Sequence, residues 1–221
     1  MLVAAAVCPH PPLLVPDLGV GLGPEIDGLR EQCAGVVRRL AQAQPDVTFI
    51  VGAGGGLVAT SFAPWGAGVA VDVPEPLPLP LLIGGYLTRG TPRSFAVVDP
   101  ATGPEDCAAF GEELASTADR VAMLVMGDGS ACHDEKAPGY IDDRAPDWDK
   151  SVHAALSEGD TAALLRLDPG LADELLCAGR PPWQVLAGAA EDRAVDTANA
   201  SLFVPFGVGY HVAYWAVTGR N

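Results

Sequence analysis

Short apolar runs alternate with amphipathic stretches along this chain, and the alternation predicts its elements. Apolar runs of strand length cover 2–7, 47–51, 94–98, 121–126, 200–206 and 210–217. Apolar positions at helical spacing predict helices over 24–43, 81–88, 105–117, 147–157, 161–165, 171–177 and 183–190. Strands that alternate with helices in this way predict an α/β fold, in which helices cover both faces of a sheet.

The length of 221 residues suits one domain that spans 1–221, and no internal linker divides the chain. The formal net charge of −15 argues against nucleic acid and against an anionic membrane as partners. The segment 47–71 is uncharged, but its glycines and Pro64 exclude a membrane-spanning helix. Five scattered cysteines without a C-x-x-C pair favour a reducing compartment, and we expect a cytoplasmic protein.

Polar side chains follow the apolar run 121–126 directly. Gly127-Asp128-Gly129 ends the predicted strand, and His133 comes a few residues later. Ligands of open α/β sheets bind beyond the carboxyl ends of the strands. His133 and Asp128 are therefore candidate functional residues, and the alternative is a solvated loop.

His10 lies between prolines just after the first predicted strand. Pro9 and Pro11 exclude both helix and sheet there, so the imidazole is presented on a stiff loop. A ligand-binding histidine and a structural histidine in a proline-rich turn both fit this pattern. After the second predicted strand, Gly54-x-Gly56-x-x-Ala59 matches a dinucleotide fingerprint only formally, because no full helix can follow it. We therefore expect no nucleotide cofactor.

Three segments together resemble a known family. They are Val7-Cys-Pro-His10-Pro-Pro, Gly127-Asp128 through His133 to Ala137-Pro-Gly-Tyr140, and Pro205-Phe-Gly-Val-Gly-Tyr210, in that order. In their order and spacing, these segments resemble the motifs of the LigB-like superfamily. This superfamily has the class III extradiol dioxygenase catalytic-subunit fold and includes the Memo proteins. The resemblance implies a single-domain αβα sandwich around a mixed, largely parallel sheet. It also implies an oxidoreductase that uses non-haem Fe(II) and dioxygen to open catecholic rings.

The resemblance assigns roles to individual residues. His10 matches the first metal ligand, and His133 matches the acid/base histidine, with Asp128 as its acidic neighbour. Cys177, which precedes Arg180-Pro-Pro-Trp, looks like the Memo-type cysteine ligand, and Glu174 is the nearby carboxylate if the ligand is an acid.

One ligand of the family pattern is missing. The family has a histidine just after the second strand, where this chain has Gly52-Ala-Gly-Gly55. His153, expected on an exposed helix face, and His211, expected in the core, are the remaining imidazoles. A ligand set with one imidazole and one thiolate would favour Zn(II) over Fe(II), or no metal.

Three functions stay open at this point. The first is a family member with an incomplete metal site that binds a small molecule or a partner without oxidative chemistry. The second is an active extradiol dioxygenase with a single divalent metal and a replacement ligand. The third is metal-free chemistry in which His133 activates Cys132 or Cys177. A homo-oligomer is possible in each case.

Overall fold

The computed structural model describes residues 1–220 and has a six-stranded sheet at its centre. The strands of this sheet are β1 (Leu2–Cys8), β2 (Val47–Ala53), β5 (Ser94–Val98), β6 (Val121–Met126), β7 (Arg193–Phe203) and β8 (Tyr210–Arg220). Their order is β5-β2-β6-β1-β8-β7. The first four run parallel, whereas β8 and β7 are antiparallel to their neighbours. A separate two-stranded ribbon pairs β3 (Val58–Ala59) with β4 (Leu77–Pro78).

Seven α-helices accompany the sheet in the described part of the chain. They are α1 (Pro24–Gln42), α2 (Leu79–Leu87), α3 (Pro104–Ser116), α4 (Ala145–Glu158), α5 (Thr161–Leu165), α6 (Pro169–Glu174) and α7 (Arg180–Ala189). Proline occupies the first turn of six of them, where its missing N–H group costs no hydrogen bond.

Alternate side chains of each central strand contribute to opposite faces of the sheet. In β6, Val121, Met123 and Val125 pack with α3 to α7, whereas Ala122, Leu124 and Met126 pack with α1 and α2. Every residue of β6 is buried, as expected for a central parallel strand that is covered on both sides. The fold is therefore an α/β sandwich around a mixed, largely parallel sheet, which confirms the predicted fold class.

The strand β7 lies at one edge of the sheet and departs from regular pairing with β8. Between Ala198 and Ser201 the pairing gains one residue, and Asn199 there has a left-handed backbone with a φ of 55°. This is a β-bulge, which bends the strand and increases its twist.

Within residues 1–220, no helix combines the length and apolar character that a membrane crossing requires.

Candidate functional site

The site is built where the carboxyl ends of β1, β2 and β6 meet. These strands are parallel neighbours, and Cys8 of β1 and Gly52 of β2 both pair with Met126 of β6. Each of the three then runs into a loop at the same edge of the sheet. Because β8 is antiparallel, its first residues reach this edge as well, and Gly129 donates a hydrogen bond to the carbonyl of Gly209 just before β8 (2.7 Å).

His10 and Asp128 are brought together by this register, since each lies two residues beyond the paired strand ends. The backbone N–H of His10 donates to Asp128 Oδ1 at 2.7 Å. His10 Nδ1 lies 3.5 Å from the same oxygen and is buried without a hydrogen-bond partner in the described residues. Burial raises the pKa of Asp128 above its usual value, although the charge of His10 opposes that rise.

A second polar cluster lies deeper, around the fully buried carboxylate of Asp149 on α4. His133 Nε2 contacts Asp149 Oδ2 at 2.6 Å, and His211 Nε2 contacts Asp149 Oδ1 at 2.9 Å. The N–H of Ser130 donates to both carboxylate oxygens at 3.2 Å. Burial alone would raise the pKa of Asp149, but the hydrogen bonds from His133 and His211 outweigh it and hold the pKa below the usual value.

The ionised Asp149 determines the tautomers of both histidines. A carboxylate can only accept hydrogen bonds, so each imidazole must donate through Nε2. His133, whose side chain is 11% exposed, then keeps Nδ1 as its free ring nitrogen. His211 is fully buried, with the Trp183 ring edge-on at 5.3 Å and the His153 ring stacked at 6.3 Å.

Cys177 is fixed by the same loop that carries Asp128. Its Sγ donates to the carbonyl oxygen of Asp128 at 3.5 Å, and the N–H of Gly179 donates to that oxygen at 2.8 Å. Burial, reinforced by the charge of Asp149, raises the pKa of the Cys177 thiol to about 12. Burial also raises the pKa of Cys132. Both thiols are therefore protonated near neutral pH.

A cleft of about 530 Å³ opens beside His10 and Cys177. The glycine loop that follows β2 forms one wall, and the connection from α6 to α7 forms the other. Most of the lining side chains are apolar, including Leu57, Trp65, Leu79, Pro80, Leu176 and Pro181. Arg180 and Asp173 complete the lining on the α6–α7 side.

The structure separates the residues that the sequence grouped into one site. His10 and Cys177 line the cleft, whereas His133, Asp128 and Glu174 do not. The acidic neighbour of His133 is Asp149 and not Asp128, which bonds to His10 instead. Glu174 accepts a hydrogen bond from Arg144 Nη1 at 2.6 Å, with both side chains more than half exposed.

The residues present do not fit the Fe(II) or Zn(II) centre that the family resemblance implies. In residues 1–220, no group of three or more His, Cys, Asp or Glu side chains could hold a metal ion. The segment from the end of β2 to Leu57 offers only glycine, alanine and leucine on the cleft side, none of which can coordinate a metal, and Cys177 carries a protonated thiol.

Asp149 and Arg180 are site residues that the sequence pattern did not single out as functional. Asp149 occurs in an amphipathic helix, where a carboxylate is expected to face solvent, and nothing in its neighbourhood marks it as buried. Arg180 is only 1% exposed, yet arginine is almost never fully buried unless it is paired. The two prolines after it were a usable signal, because they place Arg180 at the first turn of α7, beside the cleft.

No protein-family model and no curated protein matches this chain. A crystal structure of the uncharacterized protein JW3007 from Escherichia coli K12 is similar, with a TM-score of 0.50 and 12% sequence identity. The similarity covers 96% of this chain and 99% of that one. At this identity it shows a shared fold and nothing about chemistry.

Proposed function

We propose that this chain is a LigB-like protein that binds a small molecule in the cleft beside His10, without metal-dependent oxidation. The observation that carries the proposal is the cleft itself. It lies beyond the carboxyl ends of parallel strands, where α/β sheets bind ligands. Its volume of about 530 Å³ falls in the range of small-molecule sites.

The lining indicates a ligand with a largely apolar body. Leu57, Trp65 and Leu176 line the cleft, and Trp65 adds an aromatic ring to this lining. His10 is the one imidazole in the lining formed by the described residues, and its backbone is fixed by Asp128. A polar ring on a fixed backbone, beside an apolar wall, orients a ligand at little entropic cost.

The alternative of metal-free cysteine chemistry has less support. A cysteine nucleophile reacts as the thiolate, and the pKa of Cys177, at about 12, leaves almost none at neutral pH. His133 is hydrogen-bonded to Asp149, and no hydrogen bond joins it to Cys177 or Cys132 in the described chain. His133 is therefore not positioned to activate either thiol.

The neutral fluorophore N-phenyl-1-naphthylamine tests the proposal, since its emission rises on transfer to an apolar site. We expect saturable binding to the wild type. Ala178→Trp fills the cleft from a half-buried lining position and should weaken binding by about tenfold or more. Ala154→Trp adds the same side chain at an exposed position of α4 outside the cleft and should leave binding unchanged.

Equal affinities for the wild type and Ala178→Trp would place the fluorophore elsewhere on the protein and contradict the proposal. Thermal unfolding of both tryptophan variants controls for misfolding, because a loss of binding counts only when the melting transition stays cooperative.

A further inference from the structure

Arg180 is a buried cation in the wall of the cleft. Its side chain belongs to the first turn of α7, and the residue is 1% exposed. The guanidinium donates to the carbonyl oxygens of Pro100 and Thr102, both at 2.6 Å, and to Gln184 Oε1 at 3.1 Å. All three acceptors are neutral, so they orient the charge without neutralising it.

The positive charge of Arg180 has no carboxylate partner. Among residues 1–220, no Asp or Glu oxygen lies within 4.0 Å of its guanidinium nitrogens. Its Nε is buried and has no hydrogen-bond partner there. Burial of an unpaired charge and of an unsatisfied donor is costly, and such groups usually have a partner or a ligand.

The opposite wall of the cleft offers further donors. Gly55 and Gly56 line the cleft with left-handed φ angles of 93° and 71°, and a Cβ at either position would meet nothing within 4 Å. Within the described residues, neither of their backbone N–H groups has a hydrogen-bond partner. Unpaired N–H groups of consecutive glycine-rich turns form concavities that bind anions. The positive end of the α7 dipole adds to the same potential.

We propose that the cleft selects a ligand that carries an anionic group, such as a carboxylate or sulfonate, on an apolar body. Arg180 supplies the positive charge, and the N–H groups of Gly55 and Gly56 supply hydrogen bonds from the other wall. The inference rests on the proposed function and specifies the chemical class of the ligand. Binding of an anion in the cleft contrasts with the formal net charge of −15, which repels anions from the rest of the surface.

The opposing interpretation is that Arg180 is only a structural clamp. Two of its three hydrogen bonds tie α7 to the loop that joins β5 to α3, and this would be useful in any member of the fold. A clamp of this kind has no reason to favour charged over neutral ligands. The preference between matched ligands therefore separates the two interpretations.

The matched probes are 8-anilino-1-naphthalenesulfonate and N-phenyl-1-naphthylamine, which share one apolar body and differ by the sulfonate. We expect the wild type to bind the sulfonate about tenfold more tightly than the neutral probe, as for one hydrogen bond to a charged group. Arg180→Gln should remove this preference, so that the ratio of the two affinities falls to about one. Ala178→Trp should weaken the binding of both.

A second variant keeps the test valid if Arg180→Gln fails to fold. Asp173 is an exposed carboxylate in the cleft lining, and Asp173→Asn removes the one acidic side chain found there among the described residues. It should tighten sulfonate binding by about twofold to fivefold relative to binding of the neutral probe.

The two probes separate a failure of the inference about the anion from a failure of the proposed function. If the neutral probe binds in the cleft and the sulfonate binds no more tightly, the inference about the anion is overturned and the proposed function stands. If neither probe binds, the proposed function fails, and the inference fails with it.

Discussion

Three large apolar residues around the site have a backbone conformation that disfavours them. Tyr140, Leu176 and Phe206 have φ angles of 63°, 51° and 58°, and these residues are 60%, 53% and 56% exposed. A left-handed backbone costs an L-residue about 1–2 kcal/mol, which glycine avoids. Leu176 lines the cleft, so the strained backbone places its side chain where a ligand would contact it.

This strain predicts a trade-off between stability and binding at Leu176. We expect Leu176→Gly to raise the free energy of unfolding by about 0.5–1 kcal/mol, because the relief of strain exceeds the entropic cost of glycine. The same change should weaken binding of the neutral naphthylamine, since it removes apolar lining. Urea unfolding and fluorescence titration measure the two effects.

Phe206→Gly is the control for that experiment. Phe206 has the same backbone conformation and similar exposure but does not line the cleft. We expect a similar gain in stability with unchanged binding. A loss of binding in both glycine variants would show that the effect at Leu176 is not local.

His153 predicts a pH dependence of stability. Burial, helped by the charge of His211, lowers the pKa of His153 below 6.5. The unfolded chain therefore binds a proton at this position more readily than the folded one. The contribution of His153 to stability is complete above the unfolded pKa and falls as the pH drops from about 6.5 towards the folded pKa.

Between pH 8 and pH 5.5, we accordingly expect the wild type to lose more stability than His153→Gln. Urea unfolding of both proteins at the two pH values gives the difference directly. Parallel losses would contradict the lowered pKa.

At the scale of residues, the sequence identified the side chains that lie near the site more reliably than the residues that they contact. His10 and Cys177 were expected at one site, and both line the cleft. His211 was expected in the core and is buried, whereas His153 is partly buried where exposure was expected. The pairing of His133 with Asp149 could not be predicted, because it joins the loop after β6 to a helix that docks through tertiary packing.

At the scale of elements, the packing of α3 against α7 depends on two glycines. A Cβ at Gly111 would lie 2.0 Å from the carbonyl oxygen of Val185, and one at Gly188 would lie 2.2 Å from that of Ala108. Both obstacles are backbone atoms, which cannot move aside as a side chain would. The helices must therefore separate to accept any larger residue.

We expect Gly188→Ala to lower the free energy of unfolding by about 1–3 kcal/mol, as for an overpacked core position. Gly68→Ala is the matched control, because a Cβ there meets nothing within 4 Å and its φ is not left-handed. Chemical denaturation of the two variants should separate them clearly. A loss below about 1 kcal/mol for Gly188→Ala would mean that the helices can shift to relieve the clash.

The elements themselves were largely predictable, since the apolar periodicity that marks them is local. The predicted strand 121–126 matches β6, and the predicted helix 161–165 matches α5. The strand β7 was predicted from 200 but begins at Arg193. The part before residue 200 carries Asp196, Thr197 and Asn199, which an edge strand tolerates because much of it is solvated. Whether such a polar segment forms a strand depends on its position in the sheet, which the local sequence does not encode.

At the scale of the whole molecule, the fold class followed from the order of elements, while the chemistry of the site did not. Parallel strands bring their carboxyl ends together in any such sheet, so a site at that edge could be expected before its residues were known. Whether those residues form a metal centre depends on distances that only the folded chain fixes.

We expect that protein loaded anaerobically with Fe(II) or Zn(II) and then desalted retains far less than one metal ion per chain. The donors in residues 1–220 form no group of three, and Cys177 would have to lose a proton from a buried thiol. Elemental analysis of the wild type and of His10→Ala measures this.

Near-stoichiometric metal that disappears in His10→Ala would support the dioxygenase alternative instead. Catechol-dependent oxygen uptake would then be the assay to perform next.

The bulge at Asn199 has a consequence for how this protein behaves at high concentration. An uninterrupted exposed edge strand of 11 residues would present a regular row of N–H and C=O groups to other chains. The extra residue breaks that row, and the charges of Arg193 and Asp196 lie on the first half of the strand. Deletion of Asn199 would remove the bulge, straighten the strand and create a template for intermolecular β-pairing. The bulge therefore protects the folded molecule against fibrillar aggregation.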